Sequence, residues 1–249
     1  MVTSRAMRRA GLILVFLLAG CAGRRPQPTV ALLAPPSAAG AIHWVRTSAE
    51  YRAACVQAYR TAARAVAEAA AARATGRWAV VLDADETVIS NVQYQRERAA
   101  LGLGYSDESW NAWVRRREAT AIPGAKDFLE TVRRLGGVVA IVTNRAQVVC
   151  AETRANLEAL GLPCDVLLCK PEGANGDKNP RFARLARGAA TPDIPPLDVV
   201  AYVGDNIRDF PDLDQSLRLR PEADLADFGA RFFVLPNPLY GSWERNPPD

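Results

Sequence analysis

Carboxylate, hydroxyl and ammonium side chains follow four separate apolar runs in this sequence. If those runs are parallel strands of one sheet, their carboxyl ends meet at one edge and bring the polar groups together. Gathered carboxylates cannot all stay ionised without a cation, and a hard divalent ion with oxygen ligands suits them. The pattern therefore predicts a cation site of the magnesium type, a kind that is often shared with phosphate groups. The groups are Asp83 and Asp85 after the run 78–82, Thr143 after 138–142, Lys178 beyond 165–169, and Asp205 with Asp209 after 199–203.

Each of these segments has an ordinary structural explanation when it is taken alone. Asp83 and Asp85 would fit a solvated turn, and a lone Lys178 would fit the surface. An EF-hand calcium loop is excluded because Val88 occupies the position that requires glycine and Tyr94 the position that requires glutamate. Four such segments in order, each tied to an apolar run, favour one shared site.

The composition excludes several other classes of function. The sequence has 1 histidine, His43, which precedes the first apolar run. Histidine-based phosphatases, zinc hydrolases and Ser/His/Asp hydrolases are therefore disfavoured, because all of them need histidine. The formal net charge is +4, and Arg5, Arg8 and Arg9 supply much of it. The remainder is close to neutral, which gives no electrostatic footprint for nucleic-acid binding.

The elements that must position the polar groups alternate between strand and helix. Continuous apolar strands separated by helices indicate a parallel sheet that is covered on both faces. We therefore predict an α/β fold with a Rossmann-like parallel sheet, helices on both faces and an N-terminal helix. The polar and aromatic stretch at about 90–122 predicts a small helical insert. The five predicted strands are 78–82, 138–142, 165–169, 199–203 and 231–235.

The first part of the chain has the features of an export signal. In residues 1–20, basic residues precede a short apolar run and then small residues, as in a secretory signal peptide. The segment that ends at Cys21 resembles a bacterial lipobox, so we expect cleavage before Cys21 and acylation of this cysteine, palmitate included. With Ala22 next, the expected location is the outer membrane of the cell envelope. A plain secretory signal with an incidental cysteine is the alternative.

Two further segments complete the predicted organisation of the chain. Residues 21–42 are rich in Pro, Ala and Gly, and we expect a flexible tether there. Residues 43–249 are expected to form the folded domain.

The four polar segments resemble the motifs of the haloacid dehalogenase (HAD) superfamily. Those motifs are Asp-x-Asp-x-Thr, Thr or Ser, Lys, and Gly-Asp-x-x-x-Asp. More narrowly, the chain is similar to the bacterial class C acid phosphatases, the lipoprotein-type 5'-nucleotidases. The similarity extends from about residue 43 to 245, and it implies a HAD-like fold and a Mg²⁺-dependent phosphatase. Further segments that carry it are 47–51, Pro123 with Gly124, 143–145, Asp205 with Asn206, and 236–244.

The resemblance also implies roles for the acidic residues. Asp83 would be the nucleophile that attacks phosphorus, because a covalent intermediate divides one hard displacement into two easier ones. Asp85 would protonate the leaving alcohol and then deprotonate the attacking water. Mg²⁺ would be held by Asp83, the main-chain carbonyl of Asp85, and Asp205, and Asp209 would order a metal-bound water.

The expected substrates are phosphomonoesters, with nucleoside 5'-monophosphates among them. Thr143 and Lys178 would donate hydrogen bonds to the phosphoryl oxygens. Tyr94 and Tyr240 are candidates for stacking on a nucleobase, and simple packing against the sheet is the alternative explanation of both. The neighbours of Thr143 that complete the predicted substrate-binding set are Asn144 and Arg145.

Other functions are compatible with the same fold. The main alternative is a ligand-binding surface lipoprotein without significant catalysis, which the presence of Asp83, Asp85, Lys178 and Asp205 disfavours. The expected partners are a small phosphomonoester and the membrane, through Cys21. A homodimer is left open, and no nucleic-acid polymer is expected.

The four cysteines beyond Cys21 leave the disulfide pairing open. An exported location permits disulfides, and four cysteines allow three full pairings. Cys164 and Cys169 bracket one strand, which places them about 16 Å apart at about 3.3 Å per residue, too far for a bridge. Cys150 and Cys169 fall at the same end of what would be neighbouring strands. Either these two form a disulfide or the thiols are buried and free.

Overall fold

A computed structural model describes residues 38–247 of the chain. The predicted signal peptide, Cys21 and most of the predicted tether lie outside the described residues. Within the described part the strands are β1 (Trp78–Leu82), β2 (Ile89–Ser90), β3 (Thr120–Ala121), β4 (Val138–Ala146), β5 (Val166–Lys170), β6 (Asp198–Gly204) and β7 (Phe232–Val234). The helices there are α1 (Ala38–Thr47), α2 (Ala49–Ala70), α3 (Val92–Ala100), α4 (Asp107–Arg116), α5 (Ala125–Arg134), α6 (Cys150–Ala159) and α7 (Asn179–Ala186).

The central sheet confirms the predicted parallel architecture. Among the described residues it has 5 strands in the order β5-β4-β1-β6-β7, and every pairing in it is parallel. The strands that carry the polar segments are therefore neighbours, with β1 and β6 side by side at the centre. A parallel sheet places all of its strand ends at one edge, which is where the polar groups follow.

Both faces of the sheet are covered, which explains why its strands are apolar throughout. Val80 and Leu82 of β1 point into a core formed with α2, α5 and α6. Ala79 and Val81 point to the other face, where Phe182 of α7 packs. Every residue of β1 is buried, as the period of two in a strand requires when both faces are covered.

The predicted tether is too long at its C-terminal end, because residues 38–42 already belong to α1. Ile42 and Val45 are buried at 8% exposure each, and they form an apolar pair at i and i+3 that only a helix brings to one side. Trp44 meets Tyr51 edge to face, with the ring centroids 5.4 Å apart. Helix α2 then begins after Ser48, whose side chain accepts a hydrogen bond from the Tyr51 amide.

The predicted helical insert is present, and a short pair of antiparallel strands joins its two ends. Helices α3 and α4 lie between β2 and β3, which pair antiparallel through Ile89 with Ala121 and Ser90 with Thr120. Helix α4 begins after Ser106, whose hydroxyl accepts from the Ser109 amide. The insert therefore begins and ends at one place, directly after residues 83–87, the acidic segment that follows β1.

Two cysteines at the predicted positions are joined. Cys150 and Cys169 form a disulfide with their Cα atoms 6.0 Å apart, which resolves the alternative left open by the sequence. Within residues 38–247, Cys55 and Cys164 are free. None of the helices in that range is long and apolar enough to cross a membrane.

Candidate active site

Three aspartates meet where β1 and β6 end side by side. Asp83 directly follows β1, Asp205 directly follows β6, and Asp209 ends the short 3₁₀ turn Ile207–Asp209. One carboxylate oxygen from each lies within 4.8 Å of the others. The amide of Asp83 donates to the carbonyl of Val203 over 3.0 Å, which fixes the start of the acidic segment against β6.

Lys178 brings a positive charge into this carboxylate group. It lies at the end of the loop after β5, immediately before α7. Its Nζ donates to Asp83 Oδ1 over 2.5 Å and to Asp209 Oδ1 over 2.7 Å. Lys178 is only 3% exposed, so the ammonium has little water to compete with the carboxylates. One ammonium against three carboxylates still leaves an excess of negative charge.

The pKa values of these groups reflect that excess. Burial, together with Asp209 and Asp85, raises the pKa of Asp83 to about 7, although Lys178 opposes this. Burial and the carboxylates of Asp209 and Asp83 raise the pKa of Asp205 well above its usual range. Burial alone would lower the pKa of Lys178, but Asp209 and Asp83 raise it above the ordinary value. The cluster therefore resists full ionisation, and a divalent cation would relieve it.

Asp209 is fixed by close backbone packing. Its Oδ2 accepts from the Asn206 amide over 2.9 Å, and its Oδ1 from Lys178. The absence of a side chain at Gly204 makes room for it, since a Cβ there would lie 2.3 Å from the Cβ of Asp209. Both oxygens of Asp209 are thus engaged by the protein, and its supporting role towards a metal-bound water stays a prediction.

Asp205 is held by two residues for which the sequence predicted no role. Thr87 Oγ1 donates to Asp205 Oδ1 over 2.9 Å, and Asn237 Nδ2 donates to Asp205 Oδ2 over 2.8 Å. Thr87 is the threonine of the Asp-x-Asp-x-Thr segment, so its motif position was a signal for a role. Asn237 reaches the site from the segment after β7; it lies in the stretch 236–244 that carries the family resemblance, but no role was predicted for it.

One oxygen of the Asp85 carboxylate is bound by Arg145. Arg145 Nε and Nη2 approach Asp85 Oδ1 at 2.9 and 2.8 Å. The predicted contact of Arg145 with the substrate is not compatible with this structure. The Arg145 side chain is 0% exposed, and its guanidinium is paired with the Asp85 carboxylate. A buried guanidinium needs such a partner, since an unpaired charge in a protein interior is costly.

The residues around Thr143 attach the Lys178 loop to β4. Arg181, which was not predicted, donates from Nη1 to the Thr143 carbonyl over 2.5 Å and from Nη2 to Asn144 Oδ1 over 2.6 Å. Asn144 Nδ2 donates to the Gly176 carbonyl over 2.9 Å. Thr143 is buried, and its Oγ1 accepts from the Arg145 amide, so the hydroxyl proton is available for another acceptor. A substrate contact by Asn144 stays a prediction.

The two tyrosines predicted to stack on a base have different surroundings. Tyr94 is buried at 3% exposure, meets Trp110 edge to face at 5.0 Å, and bonds Ser109 through its hydroxyl. The stacking assignment of Tyr94 is therefore wrong, because the ring is part of the packing of the insert. Tyr240 is half-buried, and its hydroxyl donates to Glu86.

Glu86 is a further site residue for which the sequence predicted no role. It adopts a φ of 55°, a conformation that few non-glycine residues take, and this turns the chain sharply after Asp85. Burial, with Asp85, raises the pKa of Glu86 to about 7. Its contact with Tyr240 places that ring beside the acidic segment, and a stacking role for Tyr240 stays a prediction.

Comparisons with known proteins agree with this site. The family model described as HAD superfamily, subfamily IIIB (acid phosphatase) matches residues 33–243. The class C acid phosphatase from Bacillus anthracis is 30% identical, with a TM-score of 0.74 over 84% of this chain and 86% of that chain. A second structure of the class C acid phosphatase from Bacillus anthracis, with tungstate bound, is 30% identical, with a TM-score of 0.73 over 84% of this chain and 86% of that one.

The sheet, the aspartate cluster and its lysine define a phosphoric monoester hydrolase of the HAD type. The chain belongs to HAD subfamily IIIB, the acid phosphatases, and within it to the class C type. The alternative of a binding protein without catalysis is thereby disfavoured. HAD phosphatases generally use a divalent metal, and the carboxylates of Asp83, Asp205 and Asp209 supply the oxygen ligands that such an ion prefers.

Proposed function

We propose that this chain hydrolyses phosphomonoesters, nucleoside 5'-monophosphates included, through an aspartyl-phosphate on Asp83. The observation that carries the proposal is the position of Asp83 in a group with Asp205, Asp209 and Lys178 at the carboxyl edge of the sheet. A carboxylate held there by an ammonium is oriented for attack on phosphorus, and the ammonium offsets part of its repulsion from phosphate.

The proposed reaction has two steps, transfer of the phosphoryl group to Asp83 and hydrolysis of the resulting intermediate. In the first, an Asp83 oxygen forms a bond to phosphorus, the bond from phosphorus to the alcohol oxygen breaks, and Asp85 gives that oxygen its proton. In the second, water attacks the phosphorus of the acyl phosphate and loses its proton to Asp85. Inorganic phosphate leaves, and both carboxyl groups return to their initial states.

The donors around Asp83 would bind the phosphoryl oxygens. Lys178 is already within 2.5 Å of Asp83 Oδ1, so its ammonium would also lie next to a phosphoryl group attached to this residue. Thr143 has a hydroxyl proton free for an acceptor on the same edge of the sheet. Fixed donors of this kind stabilise the charge that develops in the transition state without further reorganisation.

Magnesium is the proposed cofactor, held by Asp83, Asp205 and the main-chain carbonyl of Asp85. The chemistry of the donor set supports this, because all of these ligands are oxygens and the cluster carries excess negative charge. When bound, the ion would neutralise charge on the phosphoryl group and orient it. Asp205 is prepared for this by Thr87 and Asn237, which fix its two oxygens.

The substrate is proposed to include a nucleobase that stacks on Tyr240. Tyr240 is half-buried beside Glu86, close to the acidic segment. The relative from Bacillus anthracis has been solved with tungstate bound, a tetrahedral oxyanion like phosphate, which supports a phosphate site in this fold. Tyr240→Ala should raise KM for adenosine 5'-monophosphate more than KM for p-nitrophenyl phosphate; equal changes for both substrates would refute the stacking.

We further propose that the protein is anchored to the bacterial cell envelope through acylated Cys21, at the outer membrane. Several acyl chains contribute about 0.8 kcal/mol per buried methylene and so hold a protein durably. Expression in a Gram-negative host and mass spectrometry of the mature N-terminus test this. A mature protein that begins elsewhere, or whose Cys21 carries no lipid, would refute it.

The enzymatic proposal is tested by phosphate release from nucleotides, sugar phosphates and aryl phosphates. EDTA should abolish turnover and Mg²⁺ should restore it. Asp83→Asn should abolish turnover while the protein stays folded. Acid quenching of the wild type during turnover should trap the aspartyl-phosphate for detection by mass spectrometry, and the Asp83→Asn variant should give no such phosphoprotein. The matched control is Asp198→Asn. Asp198 is an exposed aspartate at the start of β6, the strand whose other end leads into Asp205. Substantial turnover by Asp83→Asn would end the nucleophile assignment.

A further inference from the structure

Asn91 is a buried amide at which three parts of the molecule meet beside Asp85. Its Nδ2 donates to Asp85 Oδ1 over 2.8 Å. Its Oδ1 accepts from Trp113 Nε1 over 2.8 Å and from Arg145 Nη2 over 3.0 Å. Its backbone amide donates to Glu86 Oε1 over 2.6 Å. Asn91 is 0% exposed, so water replaces none of these bonds.

The hydrogen-bonding capacity of this amide is filled in one orientation. A side-chain amide has two donor hydrogens and an oxygen with two lone pairs. The oxygen of Asn91 serves Trp113 and Arg145, and its nitrogen serves Asp85 and, at 3.2 Å, Glu86 Oε2. A flipped amide would set oxygen against two carboxylates and nitrogen against two donors. The side chain is therefore locked.

Asp85 is anchored at one oxygen and free at the other. Its Oδ1 accepts from Asn91 and from two nitrogens of Arg145. Its Oδ2 has no hydrogen-bond partner among residues 38–247, and the side chain keeps 14% of its exposure. An acid that must give and take a proton needs this arrangement, in which one oxygen sets the position and the other meets the substrate.

We propose that Asn91 is a positioning residue for the general acid Asp85 and that the helical insert, through Trp113, takes part in catalysis by holding Asn91. The inference rests on the proposed function, in which Asp85 protonates the leaving alcohol. Trp113 lies on α4, so the insert reaches the acid through one amide. Arg145 completes the arrangement from β4 and compensates the charge.

The test compares two leaving groups, because only one of them needs the acid. Nitrophenolate is a weak base and departs unprotonated, whereas the 5'-alkoxide of a nucleoside needs a proton. The parameter is kcat/KM, which reports the step in which the alcohol leaves. General acid–base catalysis contributes about 10²–10⁴-fold to a rate. A variant in which Asp85 is misplaced should therefore lower kcat/KM for adenosine 5'-monophosphate at least about tenfold and change kcat/KM for p-nitrophenyl phosphate little.

Two variants perturb the contact in different ways. Asn91→Asp keeps the shape of the side chain but turns the donor that faces Asp85 into an acceptor. Trp113→Phe removes one N–H from the other side of Asn91 and leaves Asp85 itself untouched, so its selective loss should be smaller. Thermal unfolding followed by circular dichroism establishes that each variant is folded at the assay temperature.

The matched control is Asn156→Ala, a second buried asparagine that also holds the insert. Its Nδ2 donates to the Ala119 carbonyl over 3.1 Å, at the other end of the insert. This variant should lose stability and change kcat/KM for the two substrates equally. The positioning role is overturned when folded Asn91→Asp and Trp113→Phe lower both values equally or lower neither.

Asp85→Asn, measured in parallel, separates this inference from the proposed function. A selective loss in Asp85→Asn without one in the Asn91 and Trp113 variants leaves the acid in place and refutes the positioning. An equal loss on both substrates in Asp85→Asn refutes the acid role, and the positioning inference falls with it.

Discussion

The backbone at Gly204 lies so close to Asp209 that one added methyl group should disable the site. A Cβ at residue 204 would lie 2.3 Å from the Asp209 Cβ and 2.5 Å from its Oδ2. Carbon atoms pack at about 3.5–4.0 Å, so Asp209 would have to move by about 1 Å. That movement breaks its 2.7 Å contact with Lys178 and its 2.9 Å bond from the Asn206 amide.

The expected effect of Gly204→Ala is large on activity and moderate on stability. A misplacement of about 1 Å near the reacting groups costs about 10²-fold, so kcat/KM for p-nitrophenyl phosphate should fall about a hundredfold. The free energy of unfolding in urea should fall by about 1–3 kcal/mol, the usual cost of overpacking.

The control for this variant is Gly40→Ala in α1, where an added Cβ meets nothing within 4 Å. It should keep full activity and gain up to about 0.5–1 kcal/mol, because alanine is the better helix former. If Gly204→Ala keeps the wild-type kcat/KM, the position of Asp209 against Lys178 does not matter for turnover, and the reasoning is refuted.

Three further predictions concern stability. Tyr59→Phe removes the 2.7 Å bond from the hydroxyl to a buried carbonyl of the acidic segment and should lower the free energy of unfolding by about 1–3 kcal/mol; an unchanged urea midpoint would contradict it. Replacing Cys150 and Cys169 together by serine opens a loop of 19 residues and should cost about 3 kcal/mol, and dithiothreitol should destabilise the wild type to the same extent but not the variant. Hydrogen bonds from Arg116 lower the pKa of Glu97 to about 2. Because the folded pKa is depressed, this stabilisation is present above the ordinary pKa of about 4.3 and is lost as the pH falls towards 2. Because both side chains are partly exposed, the effect stays below about 1 kcal/mol. Arg116→Gln should weaken the dependence of the melting temperature on pH over that range. An unchanged pH dependence in this variant would show that the ion pair of Arg116 with Glu97 does not contribute to stability.

The strands were predictable because each is a continuous apolar run that both faces of the sheet bury. The run 78–82 became β1 without change, and 231–235 differs from β7 by one residue at each end. Helix α1 was missed because its helical spacing consists of little more than the one apolar pair Ile42 and Val45. Its burial depends on α2 and α3, which local composition does not reveal.

The convergence of Asp83, Lys178, Asp205 and Asp209 was predictable from topology, since parallel strands end at one edge. The direction of individual side chains was not. Arg145 follows Asn144 on β4, and successive side chains on a strand point to opposite faces; Asn144 faces the loop and Arg145 the interior. That alternation was an available signal against assigning both residues to substrate.

The strand order determines the stage of folding at which the aspartate cluster can assemble. Asp83 and Asp205 come from strands that are adjacent in space but distant in the chain, with the residues of β4 and β5 emerging from the ribosome in between. The proposed cation site cannot form until β6 docks against β1. Since an ion that binds only the assembled site stabilises only the complete fold, metal uptake would report the end of folding, and a nascent chain lacking residues 198–209 would bind none at this edge.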